Sequence, residues 1–211
     1  MNKFFNNKKF LFWDFDGVIK ESLEVKSLAF DELFTPFGKT VASKVVRHHQ
    51  SNGGLSRYSK IPIYLNWANI ECNEETKEHF CQAFSDKVKQ AVIQSPWVPG
   101  VINTLNSNHK SKTSFLITAT PQKEIEFILE KLDINYFFEK IVGSPTDKFT
   151  ALKNIIKEFK VETSQAIFIG DSKTDYEAAK TFGIQFLLRK TSINKSLQKI
   201  YNGPQINNFL L

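Results

Sequence analysis

Cysteine, methionine and long apolar runs are what this sequence has least of. Two cysteines, Cys72 and Cys81, stand among 211 residues. Two thiols are too few for a disulfide framework or, by themselves, a zinc site. Idle thiols in a reducing compartment are the reading they leave. No stretch approaches the roughly 20 consecutive apolar residues of a membrane span. The opening MNKFFNNKK carries lysines but no apolar run of leader length. A cytoplasmic protein with no membrane partner is therefore expected. Internal repeats, low-complexity tracts and blocks of like charge are missing too. The net charge of +6 would suit an anionic ligand, from a small phosphate ester to nucleic acid. The lysines behind it are scattered, so no nucleic-acid partner is expected.

What is present is an ordinary globular composition, 41% hydrophobic and 24% charged, with twenty phenylalanines. The length allows one domain of full size, or a core with an insertion. Short apolar runs recur as FLFW at 10–13, SFLI at 114–117, KIV at 140–142, AIFI at 166–169 and QFLL at 185–188. Each has the length and the Phe/Ile content of a strand. Between the later runs, Ile125, Ile128, Leu129 and Leu132 fall at i, i+3, i+4 and i+7, after Pro121 in a first helical position. Leu152, Ile155, Ile156 and Phe159 show similar helical spacing. Strands alternating with amphipathic helices predict an α/β fold with a Rossmann-like parallel sheet.

Residues 20–95 read differently, with no strand pattern. Val25, Leu28 and Ala29 suggest one helix, with Gly38 beyond its end. Phe80, Phe84, Val88 and Val92 mark another, closed by Pro96. SNGG at 51–54 breaks the block, and Pro62 limits the helix after it. A helical domain over 20–95 is expected, inserted into a core made of 1–19 and 96–211, with PWVPG at 96–100 as the return linker.

Four places carry possible chemistry. The first strand runs into Asp14 and Asp16. Were the strand to continue, the two would share one side, about 6.6 Å apart at ~3.3 Å per residue. Two close carboxylates repel unless a cation or a shared proton compensates. Mg²⁺ suits oxygen ligands beside a phosphate. Gly17 lets the chain leave the strand sharply and brings amides near a ligand. The alternative is a surface turn. In FLITATPQ, Thr118 stands between a strand and a helix start, where anions bind; alternatively, Thr118 or Thr120 caps the helix. Lys148, in GSPTDK, opens a helix against its dipole, which an anionic ligand would justify. In AIFIGDSKTD, Asp171 ends a strand, and Asp175 completes a capping-box pattern with Ser172.

Taken in order, these residues resemble the haloacid dehalogenase-like (HAD) hydrolases, in the subgroup of phosphoglycolate phosphatase and β-phosphoglucomutase. DFDGVIKES is similar to that group's first motif, with Glu21 in place of an aspartate. Thr118, Lys148 and GDSKTD match its second, third and fourth. The resemblance implies that Asp14 is a nucleophile forming an aspartyl phosphate. It makes Asp16 the acid for the leaving oxygen and then the base for water. Thr118 and Lys148 would hold the phosphoryl oxygens. Mg²⁺ would sit on the Asp14 carboxylate, the Asp16 carbonyl and Asp171, with Asp175 in support. It implies a phosphatase of a small phosphorylated metabolite, acting as a monomer or weak homodimer. A phosphosugar mutase and a silent HAD-fold binding protein are the alternatives.

The inserted block would be the cap that sets specificity. Gly53 and Gly54 allow a loop to reach the site, where Arg57 would grip an anionic or hydroxylated substrate and Tyr58 would stack or bond. Gly17, Ala119, Arg57 and Gly54 are thus the candidate substrate contacts. The alternative for Arg57 is a plain surface residue. His48 and His49 read as solvated helix positions. The NGGLSRY stretch resembles one in HAD-type proteins linked to surface-polysaccharide synthesis, which would favour a sugar phosphate.

Overall fold

The computed structural model describes residues 4–210. Six parallel strands form one sheet: β1 (Phe10–Trp13), β2 (Thr113–Pro121), β3 (Lys140–Ser144), β4 (Ala166–Gly170), β5 (Gln185–Arg189) and β6 (Gln205–Ile206). Their order is β3-β2-β1-β4-β5-β6. The five apolar runs are thus five strands. The sixth is a two-residue edge piece with no run to betray it.

Both faces of the sheet are covered, which is why its strands read as continuous apolar runs. Leu11, Trp13, Leu116, Ile167 and Ile169 face one core; Phe12, Phe115, Ile117 and Phe168 face the other. Helices α5 (Val101–His109) and α6 (Gln122–Lys131) supply the first core. Helices α7 (Lys148–Glu158), α8 (Lys173–Thr181) and α9 (Lys195–Ile200) supply the second.

Between β1 and α5 the described structure is helical: α1 (Leu23–Phe34), α2 (Lys39–Ser51), α3 (Arg57–Trp67) and α4 (Glu74–Gln94). Phe30 and Phe34 of α1, Tyr64 of α3 and Phe80 and Phe84 of α4 form its aromatic centre. Three expectations need correction here. Pro62 does not limit α3 but lies inside it; the missing amide forfeits one early helical bond while Ile61, Tyr64 and Leu65 bury the helix's apolar face. Leu28 is 62% exposed, on the outer side of α1. Pro121 ends β2, and α6 begins one residue later. No helix among the described residues is long and apolar enough to cross a membrane. Cys72 and Cys81 are free thiols.

Candidate active site

β1, β2 and β4 are neighbours at the centre of the sheet, so their carboxyl ends open onto one spot. In parallel sheets such a spot is where ligands bind. Asp14 follows β1, and its amide donates to the Ile169 carbonyl at 2.9 Å, continuing the ladder for one residue. Its Oδ1 accepts the Phe15 amide at 2.8 Å. Its Oδ2 lies 2.8 Å from Lys148 Nζ, at the first residue of α7. Asp171 follows β4, and Asp175 sits in the first turn of α8.

Oxygens of Asp14, Asp171 and Asp175 lie within 4.8 Å of one another, all buried. Burial pushes the Asp14 carboxyl up to about 7, against the pull of Lys148 and with help from the Asp175 charge. Burial, then the charges of Asp14 and Asp175, push Asp171 well above the carboxylate range. Burial alone would lower the Lys148 ammonium; Asp14 and Asp175 reverse this and raise it. One ammonium does not balance three carboxylates. A hard divalent cation with oxygen ligands fits the donor set, with Asp14 and Asp171 as its holders. Asp175 is otherwise employed: it bonds Lys148 through Oδ1, and through Oδ2 completes the capping box with Ser172. One Asp175 oxygen thus contacts Lys148 while the other makes the capping box read from the sequence.

Gly17 packs closely against Asp171. Its φ is +74°, and a Cβ there would stand 2.6 Å from Asp171 Oδ2. Thr118 is buried inside β2, which runs on to Pro121, rather than between strand and helix as the sequence suggested; its Oγ1 accepts from the Thr120 amide at 3.2 Å. Neither threonine caps α6, whose first turn has no side-chain cap. Thr118, Ala119, Lys148 and Gly54 line a cleft of about 310 Å³ beside the carboxylates.

Asp16 turns away from the three acids toward the helical block. Lys26 on α1 bonds its Oδ2, Ser22 donates to Oδ1 at 2.6 Å, and Thr120 donates to Oδ2 at 3.0 Å. Burial would raise its pKa, but the Lys26 charge and these bonds outweigh burial and lower it. Asp14 and Asp16 therefore do not share one environment, as a continued strand would have required. Glu21, the departure from the motif, pairs with Arg189 at the end of β5.

The helical block meets the site through its second loop. A Cβ on Gly54 would fall 1.7 Å from Thr174 Oγ1 and 2.5 Å from Ser172 Oγ, so glycine alone lets the loop lie on the start of α8. Arg57 is not a surface residue. It is 5% exposed and spans to Glu124 of α6 in a two-pronged ion pair at 2.6 and 2.9 Å, with Ser85 of α4 joined to both. Its grip is on this chain. Tyr58 is 36% exposed. His49 is not solvated but buried against Phe30, and its Nδ1 meets Lys60 Nζ at 3.2 Å.

Sequence reasoning missed Lys26, Lys60 and Glu124. The signal was available as helical spacing. Lys60 falls on the buried stripe Arg57, Lys60, Ile61, Tyr64, Leu65, and Lys26 with Ala29 and Phe30. Charged residues inside an apolar stripe are seldom buried without a task.

A sequence model described as haloacid dehalogenase-like hydrolase matches residues 11–189. The chain is similar to a phosphoglycolate phosphatase of Pseudomonas savastanoi pv. phaseolicola, 29% identical over 187 residues, covering 83% of this chain and 67% of that one. Its fold is similar to a haloacid dehalogenase-like family hydrolase from Streptococcus pneumoniae, with TM-score 0.70, 21% identity and 94% of each chain covered. It is also similar to CbbY from Rhodobacter sphaeroides in complex with phosphate, with TM-score 0.76, 14% identity, and 96% and 95% covered.

Proposed function

Because the chain belongs to the haloacid dehalogenase-like hydrolases, we propose that it is a Mg²⁺-dependent phosphatase of a small phosphorylated metabolite, working through an aspartyl phosphate on Asp14. The observation that carries this is the Asp14 carboxylate, held by Lys148 at 2.8 Å and within 4.8 Å of the Asp171 and Asp175 oxygens. A phosphatase of phosphoglycolate among its relatives supports the substrate class.

Asp14 Oδ2 attacks phosphorus; an O–P bond forms and the ester P–O bond breaks. Thr118 and Lys148 hold the phosphoryl oxygens, with the backbone at Gly17 and Ala119 beside them. Mg²⁺ on Asp14, Asp171 and the Asp16 carbonyl would supply charge neutralisation for an anionic nucleophile meeting an anionic ester. Asp16 gives a proton to the leaving oxygen, then takes one from the water that opens the aspartyl phosphate. Lys26 favours the ionised Asp16 that the second step needs; for the first, Asp16 must take up a proton as the substrate enters. Asp175 orients Lys148. The helical block of 20–95 acts as the cap, its Gly54 loop lying over the cleft and excluding water.

Release of inorganic phosphate from acetyl phosphate and phosphoglycolate tests this reading. Turnover with Mg²⁺, lost in Asp14→Asn, is the expected result. No phosphate release from either compound would overturn it.

A further inference from the structure

Asp171 is aimed differently from the two acids beside it. The Asp14 carboxylate is held by the Phe15 amide and Lys148, and that of Asp175 by Lys148 and Ser172. The Asp171 carboxylate accepts no hydrogen bond and joins no ion pair among the described residues. With no donor on its oxygens, its direction is left to its main chain and to the close packing of Gly17.

That main chain lies past the end of the ladder. β4 and β5 pair as far as Gly170 and Leu188. One residue further, the carbonyls of Asp171 and Arg189 are bridged by a single side chain. Asn194 Nδ2 donates to the Asp171 carbonyl at 2.7 Å and to the Arg189 carbonyl at 2.9 Å. Its Oδ1 accepts the Thr191 amide at 2.9 Å and Gln198 Nε2 at 2.6 Å. Both donors and the acceptor of the amide group are therefore in use, and Asn194 is buried. Arg189 is fixed in turn, its guanidinium paired with Glu21 through both terminal nitrogens. The brace on Asp171 thus ends on an anchored strand.

Helix capping does not account for this asparagine. α9 opens at Lys195, so Asn194 stands where an asparagine ordinarily accepts an amide of the first helical turn. No such bond is made. Its Oδ1 serves the turn at 191–194 instead. The Nδ2 contact with Asp171 is surplus to that turn and reaches back 23 positions.

We propose that Asn194 is a positioning residue for Asp171, its Nδ2 pinning the Asp171 main chain so that the otherwise undirected carboxylate faces Asp14 across the cation site. This rests on the metal-dependent reading above, but it is a claim about ion binding and is read without substrate. Without Nδ2 the Asp171 carbonyl loses its donor, the main chain there gains freedom, and one of the two carboxylates offered to the ion is no longer preset. Groups that orient the holders of a metal are worth roughly 10- to 100-fold in metal affinity.

Titration calorimetry with Mg²⁺ on the full chain tests this. Asn194→Leu keeps the size of the side chain and removes its donors and its acceptor. It should bind Mg²⁺ roughly 10- to 100-fold more weakly than the unaltered protein. Gln198→Leu loosens the same turn, because Gln198 Nε2 holds the Thr191 carbonyl and Asn194 Oδ1, but it leaves the Asp171 contact alone. Its Mg²⁺ affinity should stay unchanged even where its Tm falls. Asn194→Ala is the second variant, read in the same way, should the first not fold. Unchanged affinity in Asn194→Leu, an equal loss in Gln198→Leu, or no Mg²⁺ binding by the unaltered protein would overturn the proposal. Phosphate release from acetyl phosphate separates the two readings. Turnover by the unaltered protein, with Mg²⁺ affinity untouched in Asn194→Leu, removes the role of Asn194 and keeps the phosphatase. Weaker Mg²⁺ binding in Asn194→Leu, with no phosphate release by the unaltered protein, keeps the role of Asn194 and removes the phosphatase.

Discussion

Asp14 and Asp16 stand one residue apart, yet their surroundings drive their charge in opposite directions. Burial raises the first to about 7, while Lys26 overcomes burial and lowers the second. Different roles for the two acids follow, and single substitutions should separate them. Asp14→Asn should abolish phosphate release, a loss on the order of 10³-fold or more for a nucleophile. Asp16→Asn should slow it by roughly 10²- to 10⁴-fold, the reach of general acid–base help. Steady-state assays on acetyl phosphate check both. Lys60 gives a prediction about stability. Burial pulls its pKa down to about 7, from the ordinary lysine value of about 10.5. Between those values the unfolded chain holds the extra proton, so stability rises as pH climbs from 7 toward 10.5. Below 7 the penalty is fully present. Lys60→Met should flatten that rise, which is on the order of a few kcal/mol. Urea unfolding at pH 7 and pH 9 measures it.

At the scale of elements, α3 and α6 are joined by the desolvated Arg57–Glu124 pair. Removing one partner of such a pair leaves a buried charge alone, at a cost of about 3–5 kcal/mol. Glu124→Ala should lose that much in denaturant unfolding, and Glu124→Gln less. The loop before α3 obeys a steric rule instead. Gly54→Val must push the loop off Thr174 and Ser172. About 1.4 kcal/mol of strain in the closed arrangement would read as a tenfold higher KM. The five main strands and the motif residues at their ends were legible in the sequence because a doubly covered sheet leaves continuous apolar runs. The interior of the helical block was not. His49 and Arg57 look like surface residues by type, and only their i, i+3, i+4 register with Ala42, Val45, Ile61 and Tyr64 places them inside. Glu124 was hidden for another reason: its partner lies 67 positions away, and no local pattern carries such a pairing.

For the whole molecule, a cation held at the clustered carboxylates would be a global stabiliser. A ligand held only by the folded state adds about 2.7 kcal/mol at a hundredfold excess over its Kd. Mg²⁺ should therefore raise Tm, by several degrees for a chain of this size. Asp171→Asn should remove most of the rise, and chelation should abolish both the rise and turnover. Differential scanning calorimetry with and without the cation checks this. The order β3-β2-β1-β4-β5-β6 has one more result, and it concerns synthesis. Asp14 is synthesised well before Asp171, and β4 must pair beside β1 before the two can face each other. A nascent chain ending short of residue 166 lacks β4 and cannot yet bring Asp14 and Asp171 together. On the proposed mechanism it could neither hold the cation nor turn over, so activity would wait on β4.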